Sequence, residues 1–160
     1  MNRSILITAT LIAVAVTTVA AQQQKPKFSG HWKANQGETG KGPGPYFAGQ
    51  DFAATQDEKT LALVSTNPTL RQTEVRSAFK LDGSESMNSA SSGGQVVPMV
   101  SKVTWDGKKM TISTNYRAPG DRAITMTQIW SIDDSGILKI VQSQVQFGRT
   151  NTSEWTYKKE

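Results

Sequence analysis

The sequence predicts an all-β chain: an antiparallel up-and-down β-barrel of about eight to nine strands with little helix. Three observations carry this. From Thr60 onward apolar residues recur at spacing two, the period of a strand with one buried face. No segment shows the three-and-four spacing of an amphipathic helix. Turn units built on Asp and Gly recur between the alternating runs, which suits strands that each pair with the next.

The elements follow in chain order. Arg3 precedes an apolar run from Ile5 to Val19, and Val19-Ala20-Ala21 offers the small residues read by a signal peptidase. Residues 1–21 are therefore expected to be a signal peptide, and 22–160 a single domain that is exported to the periplasm or secreted. The run falls short of the roughly 20 residues that span a bilayer, so no integral membrane span is expected after cleavage. The alternative is an uncleaved N-terminal anchor. Strands are expected near 28–34, 50–56, 60–65, 73–82, 96–105, 109–116, 122–132, 137–147 and 153–159.

Within them Val75, Ser77, Phe79 and Leu81 share one face, opposite Glu74, Arg76 and Lys80. Val97, Met99, Val103 and Trp105 form a second such face, Met110, Ile112 and Tyr116 a third, and Ile124, Met126, Trp130 and Ile132 a fourth. The segments 105–112 and 132–140 repeat the same order of apolar residue, Asp/Gly turn and strand, with a looser copy at 56–63. Two segments are expected as loops. Residues 36–49 are rich in glycine, with Pro43 and Pro45, and carry Tyr46 and Phe47 close to Phe52, aromatics that could cover a barrel mouth. Residues 83–95 are small and polar.

Composition narrows the function classes. There is no cysteine, which removes disulfides, zinc-thiolate sites and cysteine nucleophiles. The net charge of +5, lowered by one when Arg3 leaves with the leader, is carried by lysines scattered among acids and turns. That pattern describes a solvated surface rather than a nucleic-acid-binding stripe.

His31 is the only histidine, and it stands beside Trp32 with opposite strand parity, so it faces solvent if Trp32 faces the core. Asp133-Asp134, Asp82-Gly83 and Asp106-Gly107 read as turn caps, not as acid–base pairs. No catalytic residue, metal site or cofactor is expected.

Binding is the better-supplied chemistry. Trp32, Trp105, Trp130 and Trp155 fall on different strands, each with a large apolar surface and one N–H donor. Gln142 and Gln144 continue the face begun by Leu138 and Ile140, which turns two amides inward. The candidate ligand-binding residues are Tyr46, Phe47, Trp105, Trp130, Gln142 and Gln144, and the expected partner is a small apolar ligand. Gly30, Trp32, Tyr157 and Lys158 are expected to be structural, with Lys158 or Arg149 lying over the Trp32 indole at the closed end of the barrel.

Phe28-Ser29-Gly30-His31-Trp32-Lys33 resembles the Phe-x-Gly-x-Trp-Lys opening of fatty-acid-binding proteins and the Gly-x-Trp of lipocalins. Glu154-Trp155-Thr156-Tyr157-Lys158-Lys159 resembles the Tyr-x-Lys strand that ends such barrels. With Leu81-Asp82-Gly83 and Trp105-Asp106-Gly107 between them, the chain is similar to small exported bacterial lipocalin-like proteins of the calycin superfamily, of unassigned function. The resemblance implies a non-enzymatic barrel that holds a ligand in its interior. Two departures qualify it. Trp155 stands where the fatty-acid-binding pattern has a carboxylate-holding arginine, and residues 36–49 stand where that family has a helical lid. The later tryptophan motifs of avidin-like barrels do not occur here. The alternatives to ligand binding are an interaction module acting through its loops, such as an inhibitor or envelope-associated protein, and third an enzyme with its site at the barrel mouth.

Overall fold

A computed structural model describes residues 24–35, 49–67, 72–92 and 95–160. The expected signal peptide, Tyr46 and Phe47 lie outside them. The described residues contain no helix and ten strands: β1 (Gly30–Ala34), β2 (Phe52–Gln56), β3 (Thr60–Asn67), β4 (Gln72–Lys80), β5 (Ser86–Ser92), β6 (Gln95–Asp106), β7 (Lys109–Ala118), β8 (Arg122–Ile132), β9 (Leu138–Gln146) and β10 (Arg149–Lys159).

All pairings are antiparallel, in the order β4-β3-β2-β1-β10-β9-β8-β7-β6-β5. Each strand pairs with its neighbour in sequence except β4 with β5, and β1 joins β10 through Trp32↔Lys159 and Ala34↔Tyr157. The two ends of this ladder, β4 and β5, meet along a seam bridged by side chains. Asn88 Oδ1 accepts from Ala78 N at 2.9 Å, its Nδ2 donates to Ala78 O at 3.0 Å, and Ser86 Oγ accepts from Lys80 N at 2.7 Å. The sheet is thus a nearly closed barrel.

Ten strands replace the expected eight to nine because 86–92, expected within a loop, form β5. The alternation there is real but carried by size rather than hydrophobicity. Ser86 and Ala90 are buried while Met87 is exposed, so a hydropathy pattern misses the strand. Phe52 also departs from expectation. It lies in the strand expected at 50–56, where it opens β2, but it is buried in the core rather than an exposed aromatic over a barrel mouth.

The turn chemistry is as read from sequence. Asp133 Oδ1 accepts from Ser135 N and Ile137 N, both at 2.9 Å. Asp57 Oδ1 accepts from Lys59 N and Thr60 N at 2.7 Å. Gly107, at φ 56, supplies the left-handed conformation needed between Asp106 and Lys109.

Candidate ligand-binding site

The meander gives the barrel two distinct ends. The turns that follow β2, β4, β6 and β8 lie at one end together with the residues that lead into β1. That end is plugged. Phe28 is fully buried and meets Trp130 edge to face at 5.5 Å and Trp105 in a stack at 6.2 Å. Trp32 Nε1 donates to Phe28 O at 2.8 Å. Gln56 fastens the same segment: its Oε1 accepts from Phe28 N at 2.8 Å, and its own N donates to Ser29 Oγ at 2.8 Å. Phe52 continues the aromatic floor, with ring centroids 5.7 Å from Trp130 and 5.1 Å from Tyr157.

Lys159, not Lys158 or Arg149, lies over the Trp32 ring, at 5.8 Å from its centroid. The register explains this: Lys159 is directly opposite Trp32, so both point to the same face, whereas Lys158 pairs with Lys33 and points outward. Arg149 begins β10 at the other end of the barrel.

Above the floor the interior changes character. Gln128, Gln142 and Gln144 are buried on β8 and β9. Gln128 Nε2 donates to Gln142 Oε1 at 2.8 Å, and Trp130 Nε1 approaches Gln128 Oε1 at 3.4 Å. Ser101 and Thr114, opposite each other on β6 and β7, share a hydrogen bond of 2.9 Å.

Other inward polar atoms have no hydrogen-bond partner among the described residues. Trp155 Nε1 on β10 is one, and the Ser65 and Ser77 hydroxyls on β3 and β4 are two more. Tyr116 is half-buried, and burial raises its phenol above the ordinary value.

Of the sequence-derived candidates, Trp130, Gln142 and Gln144 are therefore buried on the inner wall, with Trp130 between the aromatic plug and the glutamines. Trp105 is not with them. It lies at the plugged end under the ammonium of Lys25, 4.9 Å from its ring centroid, where Lys25, Lys27, Gln56, Asp57, Glu58 and Leu81 complete a cleft of about 280 Å³. Sequence reading passed over Ser65, and it noted the Trp155 N–H without placing Trp155 among the ligand-binding candidates, although both fall on inward strand positions.

His31 faces solvent, as its parity requires, on a shallow cleft of about 230 Å³ with Asp51 and Glu160. Among the described residues no group of three His, Asp or Glu side chains is placed to hold a metal ion. They contain no helix long and apolar enough to cross a membrane. Compared with models of known protein families and with curated proteins, the chain matches none.

Proposed function

We propose that this protein is an exported, non-enzymatic, lipocalin-like barrel of calycin type that binds a small, largely apolar ligand in its interior. One observation carries the reading: Ser65 Oγ, Ser77 Oγ and Trp155 Nε1 are sequestered inside without partners. Each such group costs about 1–3 kcal/mol in a dry core, and a ligand inside the barrel offsets that cost. The aromatic floor of Phe28, Trp130 and Phe52 supplies apolar contact at the closed end, which leaves entry to the opposite end. Native mass spectrometry of protein purified from its own host tests this. A bound small molecule of fixed mass, released on denaturation, is the expected result, and protein of bare sequence mass with no affinity for apolar dyes would overturn it.

A second reading, an interaction module, has its own observation. Phe147 is 77% exposed and held at φ 52 in the two-residue turn it forms with Gly148. A bulky residue in the left-handed region is strained, and the ring makes no compensating burial. Phe147→Asn suits this turn better and is expected to raise stability. Loss of a partner captured from the envelope by the variant, with the fold intact, would favour this reading over the first.

A further inference from the structure

Among the described residues the largely apolar barrel interior carries polar side chains but no charged ones. Every Lys, Arg, Asp and Glu among the described residues is exposed. The buried polar residues are serines, one threonine and three glutamines. A carboxylate or ammonium brought into such an interior would lose its hydration and meet no counter-charge. A neutral oxygen loses far less and gains a hydrogen bond.

One of the unpartnered groups has a definite polarity. Trp155 Nε1 can only donate, so it calls for an acceptor. It is 1% exposed and stands on β10 opposite Ile140, with Gln142 the next inward residue along β9. On the other wall, Ser77 lies opposite Leu63, and Ser65, two residues on from Leu63 along β3, completes a diagonal pair of hydroxyls. Hydroxyls donate or accept, and diagonal neighbours of this kind lie about 7–8 Å apart. Met99, Met126 and Ile112 are buried on the strands between the two walls and offer adaptable apolar contact.

We propose, resting on the ligand-binding reading above, that the interior selects an uncharged amphiphile: an apolar body carrying a carbonyl, ester or hydroxyl oxygen that accepts from Trp155 Nε1. A free fatty-acid anion is selected against, because among the described residues it would meet the Trp155 donor but no inward cation.

The test uses Nile red, an uncharged dye with a carbonyl oxygen, displaced from the full-length mature protein by hexadecan-1-ol, methyl hexadecanoate and hexadecanoate at pH 8. Nile red is expected to bind, and the alcohol and ester to displace it at least about tenfold more effectively than the anion. Trp155→Phe is expected to weaken the ester roughly five- to tenfold. Ser77→Ala gives a readout that a merely structural hydroxyl would not: unchanged or higher stability without ligand, together with weaker binding of the alcohol. It also stands in for Trp155→Phe if that variant fails to fold. Hexadecanoate binding as tightly as the ester, or both variants binding as the parent does, would overturn the selectivity while leaving a ligand-binding barrel. Failure of Nile red and all three lipids to bind would remove the ligand-binding reading itself and this inference with it.

Discussion

Lys159 runs across Gly30 and holds its ammonium 5.8 Å from the centroid of the Trp32 ring. A Cβ at position 30 would overlap the Lys159 side chain, and Gly30 has a φ of 146, which L side chains rarely adopt. The glycine of the opening motif therefore serves two purposes: it permits the backbone bend into β1 and clears the path of the lysine. Cations over an indole contribute about 0.5–2 kcal/mol, the lower end when exposed as Lys159 is.

Trp32 itself matters more than its cation. It is 2% exposed and anchors Phe28 through its indole N–H. Trp32→Ala is expected to cost about 3–5 kcal/mol, and Trp32→Phe about 1–2 kcal/mol through the lost hydrogen bond and volume. Because Trp32 belongs to the plugged end, the phenylalanine variant should bind ligand as the parent does. Chemical denaturation and dye titration check both halves. Retained stability with abolished binding would place the ligand at the wrong end of the barrel.

Most of the sheet was legible in the sequence because its inner faces alternate large apolar with polar residues, as in Val97-Pro98-Met99 and Ile124-Thr125-Met126. β5 was not, because Ser86 and Ala90 are small enough to line the barrel without being strongly apolar. The inward glutamines were legible by parity alone, since Gln142 and Gln144 follow Leu138 and Ile140 on one face. Which cation covers Trp32 was not, for that depends on the register between the two ends of the chain. Nor was the separation of Trp105 from the glutamines, a consequence of the plugged end lying where β6 finishes.

Two side chains, Ser86 and Asn88, bridge the β4–β5 seam. Asn88 both accepts from and donates to the backbone of Ala78, so it stands in for the missing ladder. Asn88→Ala leaves the Ala78 amide to solvent rather than buried, and the expected loss is about 0.5–1.5 kcal/mol. Hydrogen exchange should locate it: the Ala78 amide exchanges faster, while the Thr114 and Gln128 amides, deep in the β7–β8 ladder, keep their protection. Uniform loss across the barrel would mean that the seam is no weaker than the rest.

Two turn aspartates make stability depend on pH. Hydrogen bonds from the Lys59 and Thr60 amides hold the Asp57 carboxyl below its ordinary value, and the Ser84 hydroxyl and amide do the same for Asp82. A depressed folded-state pKa adds stability that is complete above the ordinary carboxyl value of about 3.9. That stability disappears as pH falls through the folded value. Denaturation midpoints should therefore be level from neutral down to about pH 5 as far as these two groups decide it, then decline. The Asp57→Asn/Asp82→Asn variant should start lower and decline less. An unchanged acid limb would show that the two caps are not what titrates.

The glutamine pair offers the sharpest separation of structure from function. Gln128 and Gln142 lie opposite each other on β8 and β9, both buried, joined by one 2.8 Å hydrogen bond. Gln142→Leu removes the acceptor and leaves the Gln128 amide without it, at a cost of about 1–3 kcal/mol. Gln128→Leu/Gln142→Leu removes both partners and buries apolar surface in their place, and it gives up only the long 3.4 Å contact from Trp130 Nε1, so much of that loss should return. A purely structural pair would follow stability alone, and the double variant would then bind ligand as the parent does. If the amides face the ligand's oxygen, the double variant recovers its denaturation midpoint but not its affinity for an uncharged lipid. Denaturation of the single and double variants, each paired with a Nile red titration, reads both quantities on the same protein. Recovery of stability and affinity together would assign the amides to packing and leave Trp155 and the two serines to meet the ligand.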